Sequence, residues 1–417
     1  MKKMRSRENR CLGILAIGVA MAVSGMAENV PGWRGPRGDG STLEKNLPTK
    51  WSATENVAWK TEIAGLGHST PIVWEDKIFL TTALEESQDR VLICLNRKDG
   101  KNLWQKTVVT SPLEKKHKEN SYASTTPATD GQMVYVSFLE GTQTVVVAAY
   151  DFAGNLKWKK TPTTFKSDWG FASTPVIWQD RILLACCSKI NGEILALDKK
   201  TGETLWMVKS AKPNQAFSPP YIREMAGKMQ MVIQANEGIS SYDPKTGKEL
   251  WTTEGPSKEF ISTPVYNDAS GILLGSSSWD KKIAVGIKPD GEGNVTESKI
   301  AWKSKDGPWI ASAVSLGAYF FFFSPTPKSL NCWKAATGES VWQLKDVAIH
   351  HSSPLLTADG LIYFASDDGI VRIVKASPQM ELVATNVMGE NVYASPVAHE
   401  GQILLRTFKA LYCIGKK

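Results

Sequence analysis

The sequence predicts an all-β fold, an eight-bladed β-propeller of four-stranded antiparallel blades, and three observations predict it. A Ser/Thr-Pro start recurs along the chain at steps of 40 to 56 residues. A turn followed by a tryptophan closes most of the units that these starts open. The last unit lacks its final strand, and a matching strand stands near the N-terminus. Repeats of this length mark propellers, solenoids or arrays. No repeat sustains an apolar period of 3.6 residues over several turns, which excludes an α-solenoid.

The starts are Ser69-Thr70-Pro71, Thr125-Thr126-Pro127, Ser173-Thr174-Pro175, Ser218-Pro219-Pro220, Ser262-Thr263-Pro264, Ser312-Ala313-Val314, Ser352-Ser353-Pro354 and Ala394-Ser395-Pro396. Each leads into a short apolar run, a tight turn and a second run, as in Pro71–Trp74, Glu75-Asp76 and Lys77–Leu80. Asp130-Gly131 and Asp359-Gly360 supply hairpin turns elsewhere. The closing signature is clearest in Ala196-Leu197-Asp198-Lys199-Lys200-Thr201-Gly202-Glu203-Thr204-Leu205-Trp206 and in Ser241 to Trp251. Asp and Thr-Gly build a turn between the two outer strands, with Gly free to take positive φ, and Trp offers a flat apolar surface to the next sheet. Trp59, Trp104, Trp158, Trp206, Trp251, Trp302 and Trp342 take this docking role, and Val383 holds the place in the seventh unit. That use accounts for much of an unusual composition, with 15 Trp against 5 His and 6 Cys.

The eighth unit begins at Ala394 and has no Trp strand of its own. Asn56–Thr61, containing Trp59, is the strand predicted to complete it and close the ring, leaving residues 56–417 as one domain. Residues 28–55, rich in Pro, Gly and Trp, are an extension that either covers a face or contacts another chain. Residues 1–27 read as a cleavable signal peptide: basic residues up to Arg10, an apolar run from Cys11 to Val23, and small residues ending at Ala27. The expected location is therefore periplasmic or secreted, with no transmembrane segment in the mature chain and no cysteine placed for lipidation. Of the formal charge of +7, the first 27 residues hold +4. The remainder is too weakly basic to argue for nucleic acid or an anionic surface.

The Ala-x-Asp-x-x-Thr-Gly-x-x-x-Trp copies resemble the tryptophan-docking repeat of pyrroloquinoline quinone (PQQ) propellers, over essentially all of 56–417. That family includes quinoprotein alcohol dehydrogenases and the BamB-type outer-membrane protein assembly factor. Trp33-Arg34-Gly35-Pro36 with Gly38-Asp39-Gly40, and Gly293-Asn294-Val295-Thr296, are similar to a subgroup of exported bacterial PQQ-like repeat proteins. The resemblance implies a monomeric propeller that binds an envelope protein or polymer partner. It also implies an alternative, a PQQ-dependent alcohol or sugar dehydrogenase with Ca²⁺ and the quinone at the channel mouth. Quinoprotein dehydrogenases carry a vicinal disulfide beside PQQ, and Cys186-Cys187 matches that feature. The carboxylate base, Ca²⁺ ligands and quinone-facing Arg of those enzymes are not recognisable here, so no cofactor and no catalytic residue are expected.

In a propeller the residues entering each innermost strand ring the channel mouth. Here they are enriched in aromatic and imidazole groups, suited either to a planar or sugar-like ligand or to filling the channel. The candidate ligand-binding residues are His68, His117, Asn120, Tyr122, Trp169, Phe171, Trp279, Trp309, His351, Tyr393 and Arg406. His350 and His351 are neighbours on a strand and point to opposite faces, so they do not share a metal ion. No His, Cys or carboxylate spacing resembles a zinc site, and no metal is expected.

Overall fold

The computed structural model describes residues 28–209, 217–235, 238–255, 260–277 and 281–416. They form eight antiparallel sheets that succeed one another along the chain. Blade 1 comprises Ile72–Trp74, Lys77–Leu84, Asp89–Asn96 and Asn102–Thr110, and the strand order in the sheet is the order in the chain. Blades 2 to 7 repeat that plan, blade 4 with a fifth, parallel strand added at Gly293–Asn294. Blade 8 takes Val397–His399, Gln402–Arg406 and Ala410–Ile414 from the C-terminal end and Val57–Glu62 from the N-terminal end. Trp59 pairs with Cys413 and Lys60 with Tyr412, so the predicted closure is present.

The alternation of each strand sends its side chains into the two flanking seams. Ile182, Leu184 and Cys186 enter the core shared with blade 2, while Leu183, Ala185 and Cys187 enter the core shared with blade 4. The apolar core is thus divided into eight inter-blade layers. Both faces of every blade are buried, which is why the middle strands read as continuous apolar runs such as Tyr319–Phe323.

The tryptophan repeat works between blades. The Nε1–H of Trp59 donates to the Arg97 carbonyl of blade 1, Trp104 to Phe152 of blade 2, Trp158 to Lys199 of blade 3, Trp302 to Ala335 of blade 6 and Trp342 to Ser377 of blade 7. Against Trp59, Trp104, Trp158, Trp206 and Trp302 lies the turn glycine of the next blade. Gly100, Gly154, Gly202, Gly247 and Gly338 all have positive φ, and a Cβ on Gly202 would stand 2.6 Å from the Trp158 ring.

Two repeat positions sit one residue away from the sequence alignment. The inner strand of the sixth unit begins at Val314, so its start is Ala311-Ser312-Ala313, with Ser312 in the place of Thr70. In the seventh unit the residue opposite the third strand at the docking position is Ala384, paired with Ile373, and not Val383. Elsewhere the partner of the docking Trp is small: Cys94, Ala149, Ala196, Ser241, Gly286, Cys332 or Cys413. Blade 7 inverts that pairing, with the large residue on the third strand.

The Ser/Thr of each start has a specific task. The Thr70 N–H donates to Thr126 Oγ1 (3.1 Å) and the Thr126 N–H to Thr174 Oγ1 (3.2 Å). The chain of bonds resumes from Thr263 to Ser312, Ser312 to Ser353, Ser353 to Ser395 and Ser395 back to Thr70. These links hoop the inner strands around the channel. Blade 4 presents Pro219 at this position, which has neither an N–H nor a hydroxyl.

The extension covers one face. Val30 pairs with Val73, Thr129 N–H donates to the Pro31 carbonyl, and Thr42 N–H to the Leu356 carbonyl, all at the far ends of inner strands. Buried Arg34 donates to the carbonyls of Asp39 and Ala313. Trp33 enters the channel and donates from Nε1 to Thr263 Oγ1 (3.0 Å) in the hoop. Residues 1–27, read as a signal peptide, lie outside the described residues. No helix among the described residues is long and apolar enough to cross a membrane.

Candidate functional site

The channel is closed below by Trp33 and open where the inner strands begin, which leaves a cup of ≈ 380 Å³. Its wall contains His68, His117, Asn120, Trp169, Trp309, His351 and Tyr393, seven of the residues expected at the mouth. Phe217, Ile261 and Ile310 add apolar surface.

The loop between blades 1 and 2 supplies much of the rim. It is anchored by fully buried Arg90, which pairs with Glu114 and donates to the Ser111 carbonyl (2.7 Å). Burial raises the Glu114 pKa against the opposing pull of Arg90. The loop is then tied to the blade 3 rim. The His117 N–H and Asn120 Nδ2 both donate to the Trp169 carbonyl (3.2 and 2.7 Å), and Lys115 meets Asp168 at 3.0 Å. These contacts fix His117, Glu119 and Asn120 at the cup.

Across the mouth, Tyr393 of blade 8 stands between two histidines. Its ring lies 4.8 Å from His68 and stacks on His351 at 4.3 Å and 14°. His68 also stacks on Phe408 at 5.2 Å. Burial, reinforced by the charges of Arg406, His351 and Lys116, pushes the His68 pKa down to about 3, so the ring is neutral at physiological pH. His351 Nδ1 lies 2.7 Å from Asp367 Oδ2, and Nε2 lies 3.8 Å from Glu119 Oε2. The carboxylate on Nδ1 fixes the orientation of the ring and sets Nε2 toward Glu119. His350 points the other way, as expected of its neighbour, and stacks on Phe323 at 4.5 Å between blades 6 and 7.

Three candidates stand elsewhere. Tyr122 packs under Lys116 and Arg90 (4.9 and 5.7 Å) beside the core of blades 1 and 2. Phe171 is buried edge-on to Phe165 at 5.2 Å. Arg406 is fully buried, binds the carbonyl and hydroxyl of Ser69 (3.1 and 2.6 Å), and joins blade 8 to blade 1. Burial brings its pKa down to about 9. Trp279 lies outside the described residues. Cys186 and Cys187 pair in register with Glu193 and Gly192 on a regular strand. Their side chains enter opposite seams, away from the cup, whereas a vicinal disulfide needs both sulfurs on one side.

Trp33, Glu119, Ser124 and Asp367 complete the site and were not among the expected residues. Glu119 had a signal in its adjacency to Asn120. Trp33 had none in the repeat, because it belongs to no blade.

A family model described as outer membrane protein assembly factor BamB matches residues 44–141 and 88–271, together more than half of the chain. The curated outer membrane protein assembly factor BamB of Francisella salina is 30% identical over 95 residues, 22% of this chain and 16% of that protein. The chain therefore spans only about a sixth of that relative's length. Among solved structures, BamB from Moraxella catarrhalis superposes with a TM-score of 0.57 at 16% identity, over 86% of this chain and 98% of that one. The quinohemoprotein alcohol dehydrogenase of Comamonas testosteroni gives a TM-score of 0.65 at 12% identity, over 93% and 81%. A europium-containing methanol dehydrogenase gives 0.54 at 12% identity, over 91% and 90%. At such identities the structural likeness establishes the fold alone, and the family follows from the sequence match. Its tryptophan-docked blades are those of the PQQ-like β-propeller family that contains the assembly factor BamB, and to that family this chain belongs.

Proposed function

We propose that this propeller is an exported binding or scaffold protein of the cell envelope, non-catalytic, with the mouth cup as the site that holds a protein or polymer partner. The chemistry of the cup wall carries this reading. PQQ is a tricarboxylate and calls for cationic side chains around it. Among the described residues the wall holds no Lys or Arg and does hold Glu119. Of the cations whose charge acts on His68, Arg406 is committed to Ser69 and Lys116 lies over the Tyr122 ring. No group of three or more His, Cys, Asp or Glu among the described residues could hold a metal ion. The described residues therefore do not fit the quinone with its Ca²⁺. The family's assembly factor and the signal-like N-terminus support an envelope location.

The alternative is a quinoprotein dehydrogenase oxidising an alcohol or sugar, and one observation favours it. His351, oriented by Asp367, is a base at the mouth. Titration calorimetry of the mature chain with PQQ, in the presence and absence of Ca²⁺, separates the two readings. The binding reading expects no saturable heat in either buffer. Micromolar or tighter Ca²⁺-dependent binding would replace it with the dehydrogenase.

A further inference from the structure

We infer that the cup binds an uncharged pyranose ring, the unit of a neutral glycan, between the indoles of Trp33, Trp169 and Trp309. The inference rests on reading the mouth as a binding site and names its ligand class. Three observations point the same way.

The first is the surface on offer. Indole rings form both floor and wall of a cup whose ≈ 380 Å³ lies within the usual range for small-molecule sites. The C–H face of a pyranose is apolar and matches such rings. Trp33 uses its N–H on Thr263, so it presents only ring surface.

The second is polar supply without a protein partner. The indole N–H of Trp309 and Nε2 of His68 are buried, belong to residues of the cup wall, and have no hydrogen-bond partner. An unmet buried donor or acceptor destabilises the unliganded protein, so a ligand that draws either atom to the cup surface recovers that cost. Beside them stand the Glu119 carboxylate, an acceptor, and the His351 ring, aligned by Asp367 with Nε2 toward Glu119. Donors and acceptors around apolar rings are what a polyol needs, since each hydroxyl both donates and accepts.

The third is charge. With Glu119 in the wall, no Lys or Arg among its described residues, and the rim lysines Lys115 and Lys116 engaged by Asp168 and the Tyr122 ring, phosphate, carboxylate and sulfate ligands are disfavoured. A quaternary ammonium would suit the rings and Glu119. It has no hydrogen-bonding group for Trp309 or His68, and so leaves both unmet.

The test is calorimetry with ligand-observed NMR on the full mature chain, using neutral gluco-, manno-, galacto- and N-acetylglucosamine oligomers. Choline, inorganic phosphate, and PQQ with Ca²⁺ run alongside. The expected result is saturable binding of at least one neutral oligomer. Trp309→Phe keeps the ring, removes the N–H, and is expected to weaken binding about 5-fold, the equivalent of one hydrogen bond. Glu119→Gln alters an exposed rim side chain that the fold does not need, and should weaken binding with an unchanged melting curve. No saturable response to any neutral oligomer, preference for choline, or undiminished binding by both variants overturns the inference. Binding of PQQ instead overturns the reading beneath it. Silence from both PQQ and sugars removes only the ligand class.

Discussion

At the scale of single residues, the docking turn is the most constrained local feature. Gly202 combines φ +73 with an indole face against the position of a Cβ, whereas Gly141 combines φ +59 with open space. Alanine at either site meets the left-handed penalty of about 1–2 kcal/mol. Only at Gly202 must the Trp158 ring also give way. Gly202→Ala is therefore expected to lower stability by about 3 kcal/mol and Gly141→Ala by about 1, measured by denaturant unfolding. Equal losses would show that the ring contact contributes nothing. The same scale shows what the sequence reveals and where it slips. Thr201-Gly202 and Trp206 are visible because chain direction and φ allow few alternatives. Ser312 and Ala384 are each displaced by one residue because Ala313 has no ring or hydroxyl to mark it, and Val383 resembles the apolar residue that the repeat calls for.

At the scale of elements, the docking pattern explains its own exceptions. Each Trp docks on the turn between the third and fourth strands of the following blade. In blade 8 those two strands come from opposite ends of the chain, so blade 7 has no such turn ahead of it and places Ala384 there. Trp51 of the extension packs in the same seam, stacked 6.2 Å from Tyr363. Ahead of Trp251, the corresponding connection in blade 5 is longer, and its Gly293–Asn294 adds a fifth, parallel strand to blade 4. Trp251 accordingly donates to Gln230 of its own blade.

Two seams also carry histidines that burial keeps neutral. His350 lies between blades 6 and 7 with its pKa pushed to about 3. His399 of blade 8 accepts from Arg97 of blade 1 at 3.2 Å, and burial followed by the Arg97 charge takes it to about 4. In the unfolded chain both titrate near 6.5. Below that pH the unfolded state binds more protons, so stability present above 6.5 is lost as pH falls towards 4 and then 3. The slope is at most about 1.4 kcal/mol per pH unit for each group. Thermal melts between pH 7.5 and 4.5 should show this fall, and His399→Gln, which retains an acceptor for Arg97, should flatten it. An unchanged slope in that variant would remove His399 from the account.

For the whole molecule, the hoop of Ser and Thr is broken only where Pro219 stands. Pro219→Thr would place an N–H toward Thr263 Oγ1 and a hydroxyl within the pattern served by Thr174. Two added bonds contribute about 1 kcal/mol each, offset by about 0.4–1 kcal/mol from a less restricted unfolded chain. A melting temperature about 1–2 °C higher by scanning calorimetry is expected; no rise would mean that blade 4 is held by its seams alone. The ring itself was legible from sequence because eight approximate copies correct one another. The cup was legible only as a ring of positions. Period fixes which residues enter the mouth, but not which way each side chain turns. Asn120 therefore reaches the cup while Tyr122, two residues on, packs under Lys116. The floor was beyond periodicity altogether, since Trp33 occurs once.

The pairing of Val57–Glu62 with Ala410–Ile414 also sets an order of events in time. A ribosome makes the closing strand before any complete blade, and its partner after all the others. Until Ile414 has emerged, Val57–Glu62 remains an unsatisfied edge open to strands of other chains. Closure across so long an intervening sequence is intrinsically slow. The strand that seals the ring is thus the one most exposed to mispairing during biogenesis, and protection of that edge is a requirement of the topology.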